Sequence, residues 1–141
     1  MTIIAEKISE IQRVQNYAIV AARFAIIESS EFIEELNRQQ LSEGQRSDGS
    51  TLPDYSPTSV NLFGKPPGPI RLFDEGDFYE GININVFDDE FRLDGEDEKT
   101  SMLIARYGDM ILGLTEENKQ VLIDYIRPFI INLMKTFYNS I

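Results

Sequence analysis

Gly81-Ile82-Asn83-Ile84-Asn85-Val86 and, after the acidic turn Asp88-Asp89-Glu90, Phe91-Arg92-Leu93-Asp94 form the stretch on which the fold depends. Apolar and polar residues alternate in both halves, and Phe78 and Tyr79 extend the alternation upstream. That is the period of a strand with one face buried. Two such runs joined by a short polar turn predict an antiparallel pair. Ile70-Arg71-Leu72-Phe73, closed by Asp74-Glu75-Gly76, reads as a further short strand. The expectation over residues 70–94 is therefore a small antiparallel sheet of about three to four strands.

Helices flank this sheet on both sides. In residues 3–40 the apolar positions Ile4, Ile8, Ile11 and Val14, then Val20, Phe24 and Ile27, then Phe32, Ile33 and Leu36 recur at steps of three and four. Asn16 is the expected break, giving a short helix and then a longer one, with Ser29-Ser30 a weaker interruption. A short helix is predicted over 98–107, with Gly108 ending it in a left-handed conformation. Met110-Ile111-Leu112 reads as a small extended piece. Thr115 is a good N-cap, and Glu116-Glu117 follow it where the helix dipole favours negative charge. The helix it starts, 115–139, has apolar pairs spaced by fours and contains Pro128, where a kink is expected. The fold class is α+β, a single domain with an N-terminal helical segment and a long C-terminal helix.

Between helix and sheet lies a stretch of another kind. Residues 42–69 hold Gly44, Asp48-Gly49, Pro53, Ser56-Pro57, Gly64 and Pro66-Pro67-Gly68-Pro69. Prolines remove amide donors and fix φ, so neither a regular helix nor a central strand is expected. Leu52, Tyr55, Val60, Leu62 and Phe63 are too apolar for a solvent linker. An extended arm that docks on something accounts for both features.

Composition excludes more than it names. The chain has 141 residues, 42% hydrophobic, with a net charge of −11 and neither Cys nor His. Without His the usual general base near neutral pH and the commonest transition-metal ligand are missing; without Cys there is no thiolate chemistry or disulfide framework. An acidic surface disfavours specific nucleic-acid binding and anionic membranes. No signal peptide is read at Met1–Lys7, and the apolar run Tyr17–Ile27 is too short to span a bilayer. Residues 71–100 hold eleven acids against Arg71, Arg92 and Lys99. They match no calcium-loop spacing, and solvated turns explain them better than a Mg²⁺ or Ca²⁺ site. No carboxylate pair has the apolar setting a glycosidase acid needs, and no phosphate-binding glycine loop is present. The reading is a non-enzymatic building block with no catalytic residues, cofactor or metal.

One resemblance sharpens this. Gln40-Leu41 with Gly44, Gly49, Leu52, Tyr55-Ser56-Pro57, Pro69-Ile70-Arg71-Leu72 and Gly76-Asp77-Phe78-Tyr79 stand in the order seen in small neck and tail-completion proteins of tailed bacteriophages and prophages, which this chain resembles. Arg106-Tyr107-Gly108 and Gly113-Leu114-Thr115-Glu116-Glu117-Asn118 resemble a block that precedes the terminal helix there. Glu75 replaces a usual Thr and Gly81 a usual Ser, so any role of those hydroxyls is lost. The resemblance covers about two-thirds of the chain. It implies a virion structural protein of the neck, made in the bacterial host cytoplasm. Such a head-to-tail connector or tail-completion subunit would form a ring of its own copies and meet portal, adaptor or tail-tube proteins. Leu52, Pro53, Tyr55, Pro57, Phe63, Arg71, Phe78 and Tyr79 are then the candidate subunit-interface residues. Asp88, Asp89 and Glu90 are candidates to face the DNA channel, where repulsion prevents sticking. The rival expectations are an acidic phage-encoded binding protein, either a DNA mimic or a host-enzyme inhibitor, and an assembly chaperone.

Overall fold

The computed structural model describes residues 3–73 and 76–140. The chain is α+β: α1 (Ile3–Glu28), α2 (Ser30–Ser42), α3 (Pro57–Phe63), α4 (Asp77–Glu80), β1 (Ile82–Val86), β2 (Phe91–Gly95), α5 (Thr100–Tyr107), a 3₁₀ turn (Asp109–Ile111) and α6 (Glu116–Ser140). The strands pair antiparallel in the register Ile82↔Gly95 to Val86↔Phe91. Their alternation places Ile82, Ile84, Phe91 and Leu93 on the face turned to the core, and Asn83, Asn85, Arg92 and Asp94 on the other. On that polar face Asn85 Nδ2 donates to the Asp94 carboxylate at 2.6 Å.

The sheet has two strands among the described residues, fewer than the sequence pattern suggests. Ile70–Phe73 does not join it, because its backbone is engaged elsewhere. The Ile70 amide donates to the Pro53 carbonyl at 2.8 Å, and Arg71 N–H donates to the Tyr55 hydroxyl at 3.3 Å. Leu72 has φ 55°, a left-handed conformation that breaks an extended run. Phe78 and Tyr79 belong to the single helical turn α4 rather than to a strand, so regular alternation starts only at Ile82. The expected turn at Asp74-Glu75 lies outside the described residues.

The helices also depart from expectation. α1 runs unbroken through Asn16, and the break falls at Ser29, whose φ and ψ of −99° and 13° turn the chain into α2. The long helix thus comes first. An exposed Asn in mid-helix costs only a few tenths of a kcal/mol, whereas the bend at Ser29 carries Ile33, Leu36 and Leu41 of α2 into the core. The arm contains a helix after all. Pro57 occupies an N-terminal helical position, where its missing N–H costs nothing, and Ser56 Oγ accepts from Ser59 N–H at 3.1 Å. Gly64, with φ 68°, ends it. Met110-Ile111 lies in the 3₁₀ turn, not an extended piece. Gly108 ends α5 at φ 94° and ψ 160°, a positive φ with an extended ψ rather than the left-handed helical pair.

Thr115 caps α6 as its position predicts, accepting from Asn118 N–H at 3.1 Å. α6 continues through Pro128 to Ser140. The core is built from Ile33, Leu36 and Leu41 of α2, Leu52 of the arm, Phe78, Ile82 and Leu93, with Ile111, Leu114 and Leu122 closing it. Leu122 is the buried residue of α6, and Ala21 and Ala25 those of α1. Both long helices therefore touch the body at one end and leave it along the other.

Candidate functional site

Two features of the surface follow from that architecture. The first is a stalk. α1 and α6 pack antiparallel, with Tyr17 stacked on Phe137 (ring centroids 4.1 Å apart) and Phe24 on Phe129 (5.8 Å). Phe32 of α2 stacks on Tyr125 at 3.9 Å nearer the body. Since Tyr17 meets Phe137 close to the end of α6, the first turns of α1 run on past it. Ile3, Ile4, Ile8 and Ile11 lie there, exposed at 75%, 73%, 51% and 56%. No residue of 3–20 or of 128–140 is buried. Ile19, Val20, Ile131 and Tyr138 are further exposed apolar residues of these two helices. The stalk is also nearly neutral in net charge: residues 3–20 hold two acids against two bases, and 128–140 hold Lys135 alone. The −11 charge of the chain resides in the body.

The second feature is the arm, tied at its base rather than loose. Asp54 bridges to Pro69, and Tyr55 N–H donates to the Gly68 carbonyl at 2.9 Å. The excursion between them carries α3, which buries no residue and holds Leu62 and Phe63 in water at 75% and 73% exposure. Tyr55 to Phe73 contains Lys65 and Arg71 and no acid, in a chain with 24 acids.

The interface residues expected from sequence divide into two groups. Leu52 and Phe78 are 2% and 4% exposed, spent inside the chain's own core, which leaves them no surface for a neighbour. Pro53, Pro57, Phe63 and Arg71 are exposed, and Tyr55 and Tyr79 are half-buried. Tyr79 is a brace. Its hydroxyl donates to the Arg71 carbonyl, and its ring packs edge-on against Phe73 at 5.1 Å. Burial, then the neighbouring Tyr55, pushes its phenol up to about 12, against the opposing pull of Arg71. A folded-state value above that of the unfolded chain means stability is full below pH 10 and falls as pH rises from there toward 12. In an alkaline ultraviolet titration Tyr79 should appear as a late step, well above the ordinary tyrosine value. Tyr79→Phe should delete that late step; a late step that survives the substitution would assign it elsewhere.

Asp88, Asp89 and Glu90 are exposed at the β1–β2 turn. Arg23 of α1 holds the turn, donating to the Asp88 carbonyl at 3.0 Å. Asp89 and Glu90 also rim a groove of about 570 Å³ between β2 and α6, lined mostly by apolar side chains. Ser47, near the start of the arm, also lines it, and its other lining residues lie outside the arm. No family model matches the chain, and no curated protein or solved structure matches it significantly.

Sequence reasoning missed Asn37 and Gln40. Both are buried, at 0% and 2% exposure, and both hold the segment that leads into α6. Asn37 donates to the Ile111 carbonyl at 3.1 Å and accepts from Gly113 N–H at 2.9 Å. Gln40 donates to the Gly113 carbonyl at 2.9 Å and accepts from Thr115 N–H at 2.9 Å and Asn118 Nδ2 at 2.6 Å. The signal was present: residues 33, 36, 37, 40 and 41 share one helical face, and two polar residues on an apolar face need partners. Among the described residues no group of three or more acids is placed to hold a metal ion, and no helix is long and apolar enough to cross a membrane.

Proposed function

We propose that this chain is a non-enzymatic structural subunit of a tailed-phage neck, a head-to-tail connector or tail-completion protein that works as a ring of its own copies. The observation that carries this reading is the stalk, two long helices whose apolar side chains are left in water and whose net charge is near zero in a chain of −11. Large apolar side chains exposed in this number on two packed helices support a contact surface. A half-exposed Phe or Tyr leaves on the order of 100 Å² in water, and a stable interface needs about 800 Å² from each partner. The stalk has ample area for that. Segregated charge supports assembly from like copies, because stalks of near-zero net charge meet without the repulsion that the acidic bodies carry. Within the ring the turn Asp88–Glu90 faces the DNA channel, and portal, adaptor or tail-tube proteins take the ends.

Replacing Ile4, Ile8 and Ile11 together by Ser tests the reading. Helical circular dichroism and the unfolding midpoint should stay near those of the parent, because none of the three is buried. Burying each Ile on assembly contributes roughly 1.5 kcal/mol or more, so the variant should fail to enter particles produced with it as the only copy. Normal incorporation, measured by mass spectrometry of purified particles, would remove the stalk as the contact. Absence of the parent protein from finished particles, or a monomer captured by a basic host enzyme, would overturn the neck assignment itself.

A further inference from the structure

We infer that the arm tip of one copy, Leu62 and Phe63, seats in the groove between β2 and α6 of a second copy, so that copies join head to tail. The inference rests on the assembly reading and names the partner surfaces of one contact within it. The tip has the form of an anchor. α3 is capped at both ends, its base is tied by the Asp54–Pro69 bridge, and its two largest side chains are held in water. A pre-formed tip loses little conformational freedom on docking, which is what makes a small apolar anchor effective.

The groove has the matching form. Ile26, Phe91, Leu93, Leu112, Leu122 and Ile126 line its floor and walls, and its volume of about 570 Å³ has room for a Leu and a Phe side chain. Charge selects a second copy as the occupant. Asp89 and Glu90 stand on the rim without an ion pair among the described residues. The two bases there are engaged within the chain, Arg92 with Asp94 at 3.3 Å and Lys119 with Glu116 at 2.9 Å. The rim is therefore acidic, and the arm from Tyr55 to Phe73, with Lys65 and Arg71 and no acid, is complementary to it in charge. Tip and groove share no residue, so the contact uses two different patches. A heterologous contact of this kind leaves one tip and one groove open at the ends of any oligomer, and it closes only as a ring.

Sedimentation of the purified chain over a concentration series tests this. The double variant Leu62→Asp with Phe63→Asp should keep its fold, as α3 buries nothing, and should self-associate about 30-fold more weakly, a usual cost of losing an interface anchor. Ile123→Asp, at a half-exposed groove position, should do the same. An equimolar mixture of the two variants should form dimers and nothing larger, because one retains its groove and the other its tip. The Cys-free background allows a second measurement. Copies carrying Leu62→Cys should cross-link on oxidation to copies carrying Ile123→Cys, and far less to copies carrying Asn139→Cys at the end of the stalk. Unchanged association of the tip variant, a mixture that stays monomeric, or a parent chain monomeric at every concentration would overturn the contact. Such a result leaves the neck assignment standing, since that is judged on particles.

Discussion

Gln40→Leu should cost this protein about 3–5 kcal/mol of stability, a large share of the roughly 5–15 kcal/mol that holds a small domain together. The side chain is buried and makes three hydrogen bonds, to the Gly113 carbonyl, Thr115 N–H and the Asn118 amide. Leucine fills the space and leaves the backbone groups of Gly113 and Thr115 without partners, at about 1–3 kcal/mol for each buried unpaired group. The damage should be local to the lead-in to α6, because that segment has no strand partner. Asn37 and Gln40 act in place of one: Asn37 takes the Gly113 N–H, and Gln40 takes its C=O. Asn37→Leu should therefore be severe as well, and the double variant should cost less than the two added together, since either substitution already frees Gly113. Urea unfolding of the three variants measures this. A loss below about 1 kcal/mol for Gln40→Leu would mean that apolar packing of Ile111 and Leu114 holds the segment without the clamp.

Gly44→Ala is the second large effect, expected at about 2–4 kcal/mol. Gly44 has φ 74°, and an added Cβ would stand 2.3 Å from Pro69 Cβ and 3.1 Å from its Cγ. The left-handed conformation alone costs an L-residue roughly 1–2 kcal/mol, and overpacking against a ring adds about 1–3. The backbone cannot easily yield. Gly44 N–H donates to the Leu41 carbonyl at 2.9 Å, and its carbonyl accepts from Leu52 N–H at 2.7 Å. Gly49 supplies the control, with φ 84° and nothing within 4 Å of its added Cβ, so Gly49→Ala should cost only the conformational part. Gly44 is where α2 ends and the arm returns on itself at Pro69. Its alanine variant should loosen the base of the arm and speed proteolysis within 50–68. Equal losses for the two variants, or an arm no more open to protease, would mean the close approach to Pro69 is not what secures it.

The same close approach explains why the arm was only half legible. Its glycines and prolines announce turns, and the apolar residues among them announce docking. Yet the docking partner of Leu52 is the chain's own core, and the partner of Tyr55 is the backbone of Arg71. Neither could be distinguished from an external contact by composition. The helix α3 was hidden for a related reason. Proline is read as a helix breaker, but at a helix's first positions it is a helix starter, and the helix it starts is only seven residues long before Gly64.

Local chemistry by itself determined the strand pair, whose alternation is set by the pleat, the start of α6 at a capping threonine, and the helical character of both ends, set by apolar residues every three or four positions. It also determined what is missing from the chain, His and Cys. Tertiary structure alone decided where α1 bends, that Ile70–Phe73 stays out of the sheet, and that Asn37 and Gln40 serve as a strand substitute. It also decided which apolar residues are left over. A helix pattern records that a face is apolar, not what covers it. In α2 that face meets the core, whereas in the first turns of α1 it meets water, because α6 and the body both end before reaching it. That difference separates a core helix from a contact surface, and it arises from distances between elements far apart in the chain.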